Sequence, residues 1–221
     1  MTIFNNLWGV PVYKINTNYS YSNFTPEAKD YIDEYIKNTD NASKTVNVFV
    51  ERGHFLENLK LEKIKELIST HAYYFRDNVM MCTNELEIQA SWLTVNHKGY
   101  NHPAHNHAHT IFSVCYYPRA DSGNLILQAP DGKSTWQKEY RMGFQYTEFN
   151  EWSATSWSIP VMSGDVVIFP GWVHHSTTPN ESEEPRLMIG ANYWLKGNMQ
   201  FFDELDRINT VSYTHLTLPT R

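Results

Sequence analysis

The hydrophobic period of this chain changes at residue 86, and no other feature of the sequence constrains its fold as strongly. Before that point apolar side chains recur every three to four residues, as in helices, whereas Leu86 to Asn96 follow a period of two. Short strand candidates, separated by Gly, Pro, Asp and Asn turns, come next. They are the segment around His105 and residues 111–117, 124–128, 157–159, 166–169 and 186–194. Helices followed by about eight antiparallel strands predict a mainly β fold with flanking helices, a cupin-like jelly-roll or double-stranded β-helix.

Two amphipathic helices are predicted before the strands. Thr25 can cap the first and Pro26 can begin it, and the second carries one apolar stripe. At 221 residues the chain is long enough for one sizeable core. We therefore expect a single domain over residues 1–210, with a helical buttress over about 25–78 and a β core over about 86–195.

The last residues of the chain, 211–221, do not continue the pattern before them. They resemble translated sequencing-adapter read-through of the kind seen in metagenomic assemblies. We expect a non-native or disordered tail that packs loosely.

The composition excludes several classes of partner. A formal charge of −6 and a pI near 5.9 supply no positive field for a phosphate backbone, so we expect no nucleic acid. No apolar run approaches the roughly 18 residues of a membrane span. The N-terminus also lacks a signal peptide, so we expect a cytoplasmic protein that binds no membrane. A small molecule or a side chain is the expected substrate, and a homodimer stays open because the exposed aromatic residues would allow one.

Histidines are concentrated in two segments, 97–109 and 174–175. If the first segment is a strand, the side chains of His105 and His107 point to the same face and can bind one metal ion together. His175 from a later strand would complete a facial set of three ligands with open coordination positions. His109 has the same parity but lies beside a predicted strand break, which makes it a weaker candidate.

Arg186 begins an apolar strand, where an inward-pointing charge is unfavourable unless it meets an anion. A guanidinium binds a carboxylate through two parallel hydrogen bonds, so this residue is a candidate anion anchor. The alternative is an ordinary ion pair with Glu183 or Glu184 at the preceding turn.

Residues 133–157 are rich in aromatic side chains but have no clean period. One interpretation is an insertion that folds over the barrel mouth as a lid or a partner surface. The other is an edge hairpin packed on the outside.

A set of motifs occurs in a fixed order along the chain: Trp92, Gly99, Asn101, His105-x-His107, the run 113–117, the run 164–170, His175-Ser176 and Arg186. These motifs resemble those of the Fe(II)- and 2-oxoglutarate-dependent oxygenases common in marine bacteria and phages. The resemblance extends over about residues 7–195.

This resemblance implies a double-stranded β-helix that binds Fe(II) and 2-oxoglutarate and oxidises a C–H bond, usually to an alcohol. It implies that the far carboxylate of the co-substrate meets Arg186. By position it also places Asn96, Ser113, Tyr117 and Leu125 on the walls around the co-substrate, and it requires no catalytic residue beyond the metal ligands.

The chain departs from most oxygenases of this kind at His107, where they have an aspartate or glutamate. A neutral imidazole in place of a carboxylate leaves the iron one charge more positive. Two other functions therefore stay open. One is a cupin-type three-histidine metal dioxygenase that needs no 2-oxoglutarate, and the other is a non-catalytic jelly-roll that binds a ligand and keeps the histidines as a polar rim.

Overall fold

The structure, a computed structural model, describes residues 9–39, 45–48, 53–137, 143–200 and 207–210. The predicted tail 211–221, the motif residues before position 9 and positions 138–142 of the aromatic insertion lie outside the described residues. No helix within the described ranges is long and apolar enough to cross a membrane.

The described residues form two α-helices and eleven strands. The helices are α1 Pro26–Thr39 and α2 Glu62–Phe75. The strands are β1 Tyr13–Asn16, β2 Thr45–Val48, β3 Leu86–Asn96, β4 Phe112–Arg119, β5 Asn124–Gln128, β6 Ser156–Pro160, β7 Asp165–Pro170, β8 His175–Thr177, β9 Arg186–Leu195, β10 Gly197–Gln200 and β11 Arg207–Thr210. As expected, Pro26 begins α1, and the backbone N–H of Ala28 donates to the hydroxyl of Thr25.

The strands build two facing antiparallel sheets and a separate hairpin. The larger sheet has the order β1-β7-β4-β9-β3-β2, the smaller has the order β6-β5-β8, and β10 pairs with β11. The predicted fold class, mainly β with flanking helices in a double-stranded β-helix, is confirmed. Strands β1 and β2 were not expected from the sequence, because each has only four residues and no clear alternation.

The two faces of β4 pack into different clusters. Phe112, Val114 and Tyr116 point to the helices and share one core with the apolar stripes of α1 and α2. Cys115 and Tyr117 point the other way and pack with residues of the smaller sheet. Because side chains alternate along a strand, every second side chain of each central strand points into the space between the sheets, where the cavity lies.

The prediction that the His105 segment is a strand is wrong. Residues 101–110 form a loop whose single ladder contact is a bridge between His105 and His175. The loop pairs with the turn that follows β7, since the N–H of His107 donates to the carbonyl of Gly171 at 2.9 Å. His109 adopts a positive φ of 55° and its side chain is exposed.

Candidate metal and co-substrate site

A small cavity opens between the two sheets at the end where the histidines lie. Its walls come from the inward rows of β3, β4, β5, β8 and β9 and from the loop 101–110. The lining residues are Trp92, Thr94, Asn96, His102, His105, Cys115, Tyr117, Leu125, His175, Ser176, Thr177 and Met188.

Three histidines converge at the mouth of this cavity. One ring nitrogen from each of His105, His107 and His175 lies within 4.8 Å of the others, a spacing at which the three could bind one metal ion. His175 begins β8 and is buried, while the other two are half-buried on the loop. His105 and His107 therefore converge with His175 as expected from the sequence, although the first two lie on a loop and not on a strand.

The hydrogen bonds of two of these rings determine which nitrogen is available to a metal. Nδ1 of His105 donates to the carbonyl of Pro103 at 2.9 Å, and Nδ1 of His175 donates to the carbonyl of Val173 at 3.0 Å. A carbonyl oxygen can only accept, so Nδ1 carries the proton and Nε2 keeps its lone pair. Such backbone partners are typical of metal-binding histidines, because they fix the tautomer and the ring orientation.

His107 is oriented by packing against Trp92. The two ring centroids lie 5.3 Å apart with planes inclined by 40°. The indole itself lies over Gly190 of β9, where an added Cβ would come within 3.0 Å of the ring. A glycine at this position therefore allows the indole to support the third histidine.

Burial favours the neutral form of two of these rings. It lowers the pKa of His175 to about 3 and that of His107 to about 4, and the neighbouring histidines lower both further. A metal ligand must be unprotonated, so these two rings can bind a cation at neutral pH without first losing protons.

Arg186 is the largest fully buried side chain, with 1% of its surface exposed. Its Nη2 donates to the hydroxyl of Thr177 at 2.8 Å and to the carbonyl of Thr178 at 2.9 Å. Longer contacts of 3.4 Å reach Asn96 Oδ1 and the carbonyl of Ser122. All these acceptors are neutral, so the guanidinium has no counter-ion among the described residues.

The alternative ion pair of Arg186 with an acidic residue of the preceding turn is wrong. Glu183 pairs with Lys98, and Glu184 pairs with Arg119. A buried cation with only neutral partners is unfavourable unless an anion binds beside it. Because the Thr177 that contacts it lies two residues from His175 on β8, such an anion would lie close to the histidine cluster.

The residues that the family resemblance places around the co-substrate fall into two groups. Asn96, Tyr117 and Leu125 line the cavity. Ser113 is buried on the same face of β4, but its hydroxyl donates to Asn192 Oδ1 at 2.8 Å and it does not line the cavity.

Several cavity residues were not singled out from the sequence. Thr177 could have been found, because it shares the strand face of His175 two residues away. Asn47 on β2 had no such signal. Its side chain accepts a hydrogen bond from Thr94 and contacts Nε2 of His102 at 2.9 Å, so it lies at the cavity edge through contacts distant in sequence.

The aromatic insertion contributes no cavity wall in its described part. Trp157 belongs to β6, an edge strand paired with β5, and half of its surface is exposed. For this residue the edge-strand interpretation is the one that the structure favours. Phe144, Tyr146 and Phe149 pack on one another.

Comparison with known proteins identifies one matching family. Residues 90–192 match the family described as "Putative 2OG-Fe(II) oxygenase". No curated protein matches the sequence significantly.

Solved structures share the fold at low identity. The non-heme alpha ketoglutarate dependent epimerase SnoN from nogalamycin biosynthesis is 13% identical with a TM-score of 0.52, over 92% of this chain and 91% of that one. HygX from Streptomyces hygroscopicus, solved with nickel and 2-oxoglutarate bound, is 13% identical with a TM-score of 0.51, over 83% of this chain and 82% of that one. At such identities the likeness concerns the fold alone.

Proposed function

We propose that this chain, a non-haem oxygenase that uses Fe(II) and 2-oxoglutarate and matches the 2OG-Fe(II) oxygenase family over residues 90–192, hydroxylates a C–H bond of a small molecule or of a side chain. The observation that carries this proposal is the buried Arg186, without a counter-ion among the described residues, close to a cluster of three histidines.

In this proposal His105, His107 and His175 hold the iron. The carbonyls of Pro103 and Val173 keep two of the rings in the tautomer that presents Nε2. Three protein ligands would leave open coordination positions on the metal. Bound Fe(II) and 2-oxoglutarate would supply the oxidising power, with one atom of O₂ going to the substrate and the other to succinate while CO₂ is released.

Arg186 binds the far carboxylate of 2-oxoglutarate in this proposal. Its guanidinium can donate two parallel hydrogen bonds to a carboxylate, and the hydroxyl of Thr177 stands next to it as a further hydrogen-bonding group. Asn96, Tyr117 and Leu125 form the walls, and the burial of this end excludes water. Because the anchor is buried, its attraction for an anion is stronger than that of a surface arginine.

Two features argue against the alternative functions. A three-histidine dioxygenase without 2-oxoglutarate does not require a buried cation beside its metal, whereas Arg186 is such a cation. A ligand-binding jelly-roll with a histidine rim does not require that Nδ1 of both His105 and His175 be engaged by backbone carbonyls.

The test is an anaerobic titration of the purified protein with Fe(II), with and without 2-oxoglutarate. We expect a weak visible charge-transfer band when the co-substrate chelates ferrous iron. The band should disappear in R186A and persist in R119A, which removes a partly buried arginine paired with Glu184. Iron binding without any band would reject the use of 2-oxoglutarate, and absence of iron binding would reject the metal site.

The hydroxylation itself is tested by turnover. Candidate substrates should increase succinate formation and should gain one oxygen atom from labelled dioxygen. If a C–H bond is oxidised and the product gains no labelled oxygen, hydroxylation is rejected and the reaction is another type of oxidation.

A further inference from the structure

Acidic side chains are absent from every described segment that lines the cavity. The chain carries 24 acidic residues, but none lies within 88–120, 122–130, 166–180 or 185–200. These ranges contain all the described cavity residues from β3, β4, β5, β8 and β9. They also include the exposed parts of the loop 101–110, where burial cannot explain the absence of carboxylates.

The other ionisable side chains of the cavity carry no negative charge. Burial raises the pKa of Cys115 to about 12 and raises that of Tyr117 well above its ordinary value. Both groups are therefore protonated at neutral pH. No lysine, arginine, aspartate or glutamate is among the described lining residues. The nearest fixed charge is that of Arg186, which lies behind the wall and contacts two of its residues, Asn96 and Thr177.

The charges of the proposed cofactors do not cancel the positive charge of Arg186. Fe(II) brings two positive charges, and 2-oxoglutarate brings two negative charges. Arg186 then leaves one positive charge uncompensated. A carboxylate in place of His107 would have made the complex neutral. An uncompensated charge in a cavity with largely apolar walls is unfavourable, and an anion that enters the cavity removes the penalty.

We propose that the substrate is a monoanion, a molecule with a carboxylate or a comparable acidic group that binds beside the histidine cluster and neutralises the loaded site. This inference rests on the proposed function, since it counts the charges of Fe(II) and 2-oxoglutarate. In this arrangement His107 selects the substrate charge, because an imidazole stands where an aspartate or glutamate would repel an anion.

The first experiment uses the anaerobic complex of the wild-type protein with Fe(II) and 2-oxoglutarate. Acetate is the anionic probe, and acetamide is its neutral counterpart of nearly the same shape. We expect acetate to shift the charge-transfer band in a saturable manner and acetamide to leave it unchanged. Equal responses to the two probes would overturn the proposal. Loss of the band on addition of acetate would overturn it as well, because the probe would then be displacing 2-oxoglutarate.

The second experiment tests the role of His107. In H107D and H107E a carboxylate would replace the imidazole and restore neutrality. Acetate affinity should fall at least about tenfold in whichever variant retains the 2-oxoglutarate band, as expected for removal of one nearby charge. Two variants are used because the side chains differ in reach. Unchanged acetate affinity in a variant that retains the band would overturn the proposal. If neither variant binds iron, the comparison of acetate with acetamide in the wild-type protein decides.

Different results would reject the proposed function and the anionic substrate. If the wild-type protein gives no 2-oxoglutarate band, the proposed function is wrong and the charge count does not apply. If the band forms and acetate behaves like acetamide, the function stands and the anionic substrate is rejected.

Discussion

His105 and His175 exchange both of their backbone hydrogen bonds. The N–H of His105 donates to the carbonyl of His175 at 3.0 Å, and the N–H of His175 donates to the carbonyl of His105 at 2.8 Å. Their ring centroids consequently lie 4.2 Å apart. The backbone, and not only the side chains, thus determines the distance between two proposed ligands, and residues far apart in the sequence meet at a fixed spacing.

Replacement of His175 should remove most of the metal affinity. H175A leaves two of the three ring nitrogens, so we expect Ni(II) or Fe(II) affinity to fall by at least about 100-fold in calorimetric titration. H174A is the matched control, because it removes an exposed histidine next in sequence. Similar affinities in the two variants would show that His175 is not a ligand.

Metal removal should lower the thermal stability of the native protein. A ligand at about 100 times its Kd stabilises the folded state by about 2.7 kcal/mol, which is a shift of roughly 5 to 10 °C for a chain of this size. Addition of Ni(II) should raise Tm by this amount, and EDTA should reverse it. The shift should be absent in H175A.

Gly123 should be needed for co-substrate binding. Its φ is 93°, and an added Cβ would come within 3.0 Å of Nη1 of Arg186. G123A should therefore displace the guanidinium and weaken 2-oxoglutarate binding, by about tenfold or more if one hydrogen bond to the charged group is lost. G99A is the control, since Gly99 has a φ of 81° and open space around it.

Backbone strain should cost both glycine variants about 1 to 2 kcal/mol of stability, because a side chain at positive φ is strained. G123A should lose more than G99A, because its Cβ also collides with Arg186. The comparison therefore separates backbone strain from displacement of Arg186. Equal 2-oxoglutarate affinities in G123A and G99A would contradict the prediction.

Gly190 should be needed for the support of His107. An alanine there would collide with the indole of Trp92, and such overpacking costs about 1 to 3 kcal/mol of unfolding free energy. G190A should also weaken metal binding, because the displaced indole packs on His107. G143A, where no atom lies within 4 Å of the added Cβ, should have little effect in urea denaturation. The double variant W92F/G190A should recover part of the lost stability, and no recovery would argue against the collision.

The metal-free protein should lose stability in mild acid. Burial lowers the folded-state pKa of His175 to about 3 and that of His107 to about 4, below the value of about 6.5 expected in the unfolded chain. As the pH falls below about 6.5 the unfolded chain binds protons first, so the free energy of unfolding decreases down to about pH 3. The loss measured between pH 7 and pH 5 in EDTA should be smaller in H175N than in H174A. Equal losses would show that His175 is not held neutral.

Local pattern was sufficient to predict most of the β core. The period of two identified β3, and β5 begins and ends where the sequence predicts, because alternation and turn residues are local signals. The loop 101–110 was assigned wrongly to a strand. Its backbone partners are His175 and Thr177 on β8 and Gly171 in the turn after β7, and hydrogen bonds to residues so distant in sequence leave no local signature.

The sequence by itself determined which groups can do chemistry here: two histidines two positions apart, a third far along the chain, and an arginine at the start of an apolar strand. The tertiary structure alone decided their states. Backbone carbonyls select the tautomers, Gly190 admits the indole that supports His107, and neutral partners leave Arg186 without a counter-ion. Protonation, orientation and charge balance depend on neighbours in space, and those neighbours come from strands that the chain order separates.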